Sequence, residues 1–250
     1  MKRRFLLKSM TAAGLAAVGG TAMLAPALRA AAATIPAELR IRPDGASVLL
    51  VVDVQNCFVA GGTLPVKDGN AVIPVINRLG HAFNNVVLTQ NWHTPGHISF
   101  ASAHPGKNPF DTSTVSYGTQ TLWPDHCVQH TADADLQKDL QIPHAKLVIR
   151  KGNHKDMDSY SAFMEADKKT STGLASYLKA HGIKRVFVTG LATDFGVAYS
   201  ALDARAAGFE VYVIEDATRA IDLNGSLAAA WRTMKKAGIE RIRSEDIVLS

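Results

Sequence analysis

VFVTGLATDFGVAYSALDA, residues Val186 to Ala204, is the stretch whose reading decides the fold. Val186 to Thr189 is a short apolar run rich in β-branched residues, and it stops at Gly190. A compact turn, LATDFG, follows. From Gly196 the pattern turns helical, with Val197, Ala201 and Ala204 recurring three and four residues apart. A buried strand that feeds a tight turn and then a helix aims backbone N–H groups at one spot, the helix N-terminus. In α/β proteins that spot, beyond the carboxyl end of a strand, is where ligands sit. The tip of this turn is Gly196, a residue with no side chain to offer.

Outward from this stretch, strand and helix signals alternate. SVLLVVDV, residues 47 to 54, is a near-continuous apolar run of the kind expected for a strand buried on both faces, with Asp53 near its end. Val72, Val75, Ile76, Leu79 and Phe83 share one face of a helix over 71–83. Val86 to Thr89 reads as a second strand and KLVIR, 146–150, as a third, with Lys151 and Gly152 at its end. A helix over 172–181 stops at Gly182; EVYVI, 210–214, is a further strand ending in Glu215 and Asp216. The last helix, 224–236, takes its cap from Asn224 or Ser226, and Glu240 to Ile242 adds a short edge strand. This alternation predicts one doubly wound, mostly parallel sheet with helices on both faces, in a single domain over 34–250. The pattern lapses only between Trp92 and about Thr131, a stretch rich in His, Pro, Gly, Ser and Thr. A loop of that length inside a domain is usually functional.

The formal net charge of +5 is misleading. Lys2, Arg3, Arg4, Lys8 and Arg29 all fall between Met1 and Ala33, where there is no acid; without these five the chain has 22 basic and 22 acidic residues. A balanced remainder gives no electrostatic case for nucleic acid binding. The segment 1–33 itself reads as a twin-arginine-type signal peptide, with Arg3–Arg4 ahead of an apolar run and a small-residue tract from Ala30 to Ala33. This predicts export to the periplasm, with membrane contact only through the uncleaved signal. The alternative, a retained anchor, fits less well because the apolar run is short and Gly-rich for a bilayer span. The two cysteines, Cys57 and Cys127, allow one disulfide but no framework, and are read as free thiols because each lies inside a motif. The sequence leaves a homo-oligomer open.

Two constellations carry chemistry. Asp53 and Lys151 stand at strand ends that a doubly wound sheet places on one edge. Their plain reading is a salt bridge; their catalytic reading is a proton acceptor beside an ammonium that supports a neighbouring nucleophile. In the long loop, QNWHTPGH contributes Asn91, His93 and His97, and WPDHC contributes His126. Imidazoles with an oxygen ligand suit Zn, Fe or Mn, although nine histidines in 250 residues also cluster by chance.

Taken together and in order, DVQNCF, the LPV after it, TQNWHTPGHISFASAHPG, LWPDHCVQHT, RKG with DSYSAF, and GLATDFGVAYSALDA resemble the nicotinamidases of the isochorismatase-like cysteine hydrolase family, over nearly all of residues 47–237. The resemblance implies a parallel α/β fold and a C–N hydrolase that converts nicotinamide to nicotinate and ammonia in pyridine nucleotide salvage. It implies that Asp53 is the general base and Lys151 its charged partner. Asn91, His93, His97 and His126 would surround one divalent metal ion, with Asn91 standing where many relatives carry Asp. Phe58, Trp123, Tyr160 and Leu191 would line the ring pocket. The N–H groups of Ala192 and Gly196 would form an oxyanion hole, beside a cis peptide between Leu191 and Ala192. The family's nucleophilic cysteine falls at position 196, and glycine stands there. That substitution implies an alternative to turnover: a metal-dependent protein that binds nicotinamide or nicotinate with impaired catalysis.

Overall fold

Ser47–Val52 forms strand β1 at the middle of a six-stranded sheet, and the computed structural model describes residues 40–249 around it. The signal peptide read at 1–33 lies outside the described residues. The remaining sheet strands are β2 (Val86–Asn91), β5 (Leu147–Lys151), β6 (Arg185–Leu191), β7 (Glu210–Arg219) and β8 (Glu240–Ile242); β3 (Thr112–Val115) and β4 (Gly118–Thr121) form a separate hairpin. The sheet order is β5-β2-β1-β6-β7-β8 and every pairing in it is parallel. The chain therefore reverses its direction of winding between β1 and β6, the point at which open α/β sheets leave a crevice beyond their strand ends.

The side chains of β1 alternate between two cores, as a period of two requires. Leu49 and Val51 pack with Ile73, Ile76 and Leu79 of helix α1 (Val72–Gly80). Val48, Leu50 and Val52 face the other way, onto Leu174 and Leu178 of α2 (Leu174–Ala180), Ala201 and Ala204 of α3 (Ala198–Ala206), and Met234 of α4 (Ser226–Lys236). The small residues of α3 let that helix lie close to the sheet. Gly182 ends α2 in a left-handed turn, with the Ile183 N–H donating back to Leu178 O at 3.0 Å.

Three sequence expectations need correction. The 92–131 stretch is not wholly irregular, since it contains the β3–β4 hairpin, pivoting on Ser116 and Tyr117. Both strands are short and largely exposed, so they lack the apolar alternation that would announce them. Helix α4 is preceded by Gly225 in a left-handed conformation with no side-chain cap; Ser226 instead donates to Asp194 at 2.5 Å. Finally, Cys57 and Cys127 are not free thiols but a disulfide, with Cα atoms 5.5 Å apart. The fold brings their loops together: Asn56 N–H donates to Asp135 O at 2.9 Å, and Cys127 N–H to the Asp133 carboxylate at 2.9 Å. A separation of 70 residues hides that meeting from the sequence.

Candidate active site

The carboxyl ends of β1, β2, β5 and β6 converge on one group of buried polar side chains. Asp53 immediately follows β1 with φ 49, a left-handed conformation uncommon outside glycine that points its carboxylate along the strand edge. Its Oδ2 lies 2.7 Å from Lys151 Nζ at the end of β5, and both side chains are at most 2% exposed. The second carboxylate oxygen accepts from Thr89 Oγ1 at 2.5 Å, while the Asp53 N–H donates to the same hydroxyl oxygen at 3.1 Å. Lys151 also donates to Asn91 Oδ1 and to Ser159 O, the latter at 3.3 Å. A buried ion pair with its remaining polar atoms satisfied is costly to dismantle from one side. Thr89 and Ser159 belong to the quoted motifs, but nothing in the spacing singles them out.

The turn after β6 brings the backbone to this pair. Gly190 has φ +105, and a Cβ there would stand 2.0 Å from Val52 O, so the close approach of β6 to the end of β1 requires glycine. The Leu191–Ala192 peptide is cis. Thr193–Val197 then forms one turn of π-helix rather than a simple loop, and α3 continues from it. Such turns concentrate at functional sites. Asp194 points away from the crevice, accepting from the N–H groups of Ile221 and Asp222 and from Ser226. Ser200 is buried and accepts from Ala162 N–H at 2.9 Å. Gly196 is different from Gly190, since its φ lies outside the left-handed range and its backbone does not demand glycine. A Cβ at residue 196 would point directly at the ion pair, 3.1 Å from Asp53 Oδ2, 3.1 Å from Leu191 O and 3.0 Å from Val52 Cγ1.

Beyond Gly196 opens a cavity with ≈ 330 Å³ of open space including its mouth. Asp53, Lys151, Asn91, Ala192 and Gly196 form its floor, and Phe58, Leu64, Trp123, Tyr160, Leu191, Phe195 and Ile221 its largely apolar walls. The volume is in the range of small-ligand pockets. All of the aromatic residues picked from the sequence as ring contacts are on this wall, and Phe195 joins them. Trp123 and Phe195 meet edge to face with centroids 4.9 Å apart. Trp123 Nε1 donates to the Tyr160 hydroxyl at 2.9 Å, which fixes both rings. Burial, then the nearby Asp158 carboxylate, pushes the Tyr160 hydroxyl well above its usual range, so it stays protonated.

Of the three histidines of the sequence cluster, His126 lines the cavity. The ring of His93 lies 4.3 Å from that of His97 and 4.8 Å from that of His126, centroid to centroid. His93 Nδ1 faces Gly152 O at 3.0 Å and His126 Nδ1 faces Pro124 O at 2.8 Å. A carbonyl can only accept, so each Nδ1 carries the proton and each Nε2 keeps a lone pair when the ring is neutral. Burial, followed by the neighbouring His126, His97 and Lys151, holds His93 well below the usual imidazole range. Burial brings His126 down to about 4. Neutral imidazoles backed by carbonyls fit a divalent metal ion. His97 has both nitrogens engaged, Nδ1 with Ser99 and Nε2 with Met157 O. Asn91 Oδ1 accepts from Lys151 Nζ, and Asp158, buried and not among the residues picked from the sequence, brings a carboxylate oxygen within 4.8 Å of ligand atoms of His93 and His97. Asp158 is also held by Ser159 N–H at 2.8 Å and Gln120 Nε2 at 2.9 Å, both neutral donors, and has no cationic side-chain partner among the described residues.

Comparison with known proteins identifies the family. The Isochorismatase domain matches residues 47–246. A nicotinamidase from Acinetobacter baylyi is 55% identical over 212 residues, covering 85% of this chain and 99% of the relative. PnC1 from L. infantum, solved in complex with nicotinate, superposes with a TM-score of 0.75 at 38% identity, covering 84% of this chain and 99% of the other. A pyrazinamidase of Pyrococcus horikoshii, solved in complex with zinc, gives a TM-score of 0.66 at 33% identity, covering 79% of this chain and 99% of the other. This chain belongs to the isochorismatase family of α/β hydrolases and, within it, to the nicotinamidase type.

Proposed function

We propose that the cavity is a nicotinamide site in which the binding and proton-transfer groups are assembled but the attacking atom is missing. The observation that carries this is the geometry of residue 196, whose side-chain direction runs onto Asp53 Oδ2 while the residue itself is glycine. In the family's reaction a cysteine at this position would pass its proton to Asp53 while its sulfur attacks the carboxamide carbon. Ammonia would leave with that proton, and water would release nicotinate. Here Asp53 can still accept and return a proton, and Lys151 still pairs with it at the cavity floor. The aromatic walls can still hold a pyridine ring. The chain therefore binds nicotinamide and nicotinate but turns the amide over slowly, since loss of a nucleophile costs several orders of magnitude while binding survives.

The competing reading is a working amidase with a substitute nucleophile, and the residues near Gly196 count against it. Both cysteines are consumed in the disulfide. Asp194 and Ser200 face other partners. A Zn, Fe or Mn ion would be held by His93, His126 and His97, the last on releasing its Nε2 contact with Met157 O, with Asp158 rather than Asn91 as the oxygen donor. When bound, such an ion would anchor the pyridine nitrogen and orient the amide toward Asp53. Export by the twin-arginine route to the periplasm is part of the same proposal, supported by the Arg3–Arg4 pair and by a disulfide that an oxidising compartment sustains.

Calorimetric titration of the purified chain, loaded with zinc, tests the proposal. One molecule of nicotinate or nicotinamide bound per chain is the expected result. A folded protein that binds neither ligand would overturn it.

A further inference from the structure

A second groove shares the π-turn with the first cavity: Thr193 lines the groove, whereas Ala192, Phe195 and Gly196 line the cavity described above. It has ≈ 680 Å³ of open space including its mouth. Two acids line it, Glu215 and Asp216, and each of their carboxylate oxygens already has a donor. Glu215 Oε2 accepts from Arg241 Nε at 2.9 Å and Oε1 from Arg241 Nη2. Asp216 Oδ1 accepts from Ser244 N–H at 2.7 Å and Oδ2 from the Ser244 hydroxyl at 2.5 Å.

The donors of the groove are not matched in this way. Arg219, half-buried at the end of β7, gives only its Nη1, to Thr218 O at 2.7 Å and Asp216 O at 3.2 Å. Its Nε and Nη2 have no acceptor, and it pairs with no carboxylate among the described residues. Thr193 is 2% exposed, and its hydroxyl makes no hydrogen bond among the described residues. Arg243 meets a carboxylate only at Glu245, 3.4 Å away on the surface. The groups left over are therefore all donors, two of them cationic, and donors kept from water without an acceptor are costly. Beside them lie Leu227 and Trp231 of α4. Arg241, 4.4 Å from the Trp231 ring centroid, holds that ring in place as well as neutralising Glu215.

We infer that this groove binds a small aromatic monocarboxylate, with its carboxylate on Arg219 and the Thr193 hydroxyl and its ring against Leu227 and Trp231. The free Nε and Nη2 of a guanidinium form a planar fork that matches the two oxygens of a carboxylate. A phosphate monoester matches less well, because Glu215 and Asp216 oppose a second negative charge. The site is separate from the nicotinamide cavity and does not rest on that assignment.

Calorimetric titration of the zinc-loaded full chain with benzoate, with and without saturating nicotinamide, tests the inference. One benzoate per chain is expected, with a stoichiometry that nicotinamide leaves unchanged. Arg219→Gln should weaken benzoate binding about tenfold or more, the scale of a charge-assisted pair, at an unchanged denaturation midpoint. Benzyl alcohol, the same ring without the charge, should bind the unmodified protein weaker by a similar factor; this comparison needs no variant. Absence of benzoate binding would overturn the inference. So would equal affinity for benzyl alcohol, equal affinity in folded Arg219→Gln, or tighter binding of phenyl phosphate than of benzoate. Displacement of benzoate by nicotinamide would place it in the first cavity and overturn the inference as well. A chain that binds benzoate as expected but no nicotinamide would remove the assignment of the first cavity and leave this one standing.

Discussion

Asp53 and Lys151 illustrate how far single residues can be read. Their positions at two strand ends, and the parallel order of those strands, were enough to bring them together on one sheet edge. What the sequence could not supply is the set of partners that makes the pair stable in a buried setting: Thr89 on the carboxylate, and Asn91 and Ser159 on the ammonium. These are neutral residues whose role depends on side-chain direction, which spacing does not encode. Lys151→Met should leave the Asp53 charge buried and uncompensated, at a cost of about 3–5 kcal/mol. Urea unfolding will read this as a lower midpoint, and adding Asp53→Asn should recover part of the loss; an unchanged midpoint in the single variant would contradict the buried pair. Asn91 and Asp158 show the opposite limit. The histidine cluster was visible in the spacing of His93 and His97, but the Asp158 carboxylate that lies within 4.8 Å of their ligand atoms comes from a segment beyond the end of β5, far from Asn91 in the chain. Asp158→Asn is therefore expected to weaken zinc binding about 10–100-fold, and Asn91→Ala much less, in equilibrium dialysis. The reverse ranking would return the ligand role to Asn91.

At the scale of elements, the apolar periods located the strands and helices to within a few residues, except that β7 runs five residues past its apolar stretch to Arg219, through Glu215 and Asp216, by pairing with the end of β6. The elements that escaped are those held by contacts distant in the chain. The π-turn at Thr193–Val197 is tied down by Asp194 reaching the 221–226 loop. The β3–β4 hairpin is docked by Gln120, which donates to Asp158 and to the Tyr160 hydroxyl. The disulfide joins the turn carrying Phe58 to the loop carrying His126, whose rings lie 5.6 Å apart. It therefore braces the cavity wall against the histidine cluster. A cross-link closing a loop of 70 residues restricts the unfolded chain by about 4 kcal/mol in the loop-entropy model. Cys57→Ala with Cys127→Ala, or reduction of the unmodified protein, should lower the denaturation midpoint by an amount of that order. A midpoint insensitive to reductant would mean that the two thiols are not joined.

For the whole molecule, sheet order fixes function more than any single motif does. The reversal between β1 and β6 opens a crevice, and the chain spends its buried polar residues there: an ion pair, a turn at a helix start, a cluster of imidazoles and an aromatic wall. Charge says little about this site, because the net positive charge belongs to the segment from Met1 to Ala33. If that segment directs export, cell fractionation of the full chain should find it in the periplasm, and Arg3→Lys with Arg4→Lys should retain it in the cytoplasm. The central claim concerns one atom. Ammonia release from nicotinamide, measured on the unmodified protein beside Gly196→Cys, tests it most directly. The account predicts turnover in Gly196→Cys at least ~10³-fold above that of the unmodified protein, the scale of a restored nucleophile. Comparable, robust turnover by both proteins would contradict it.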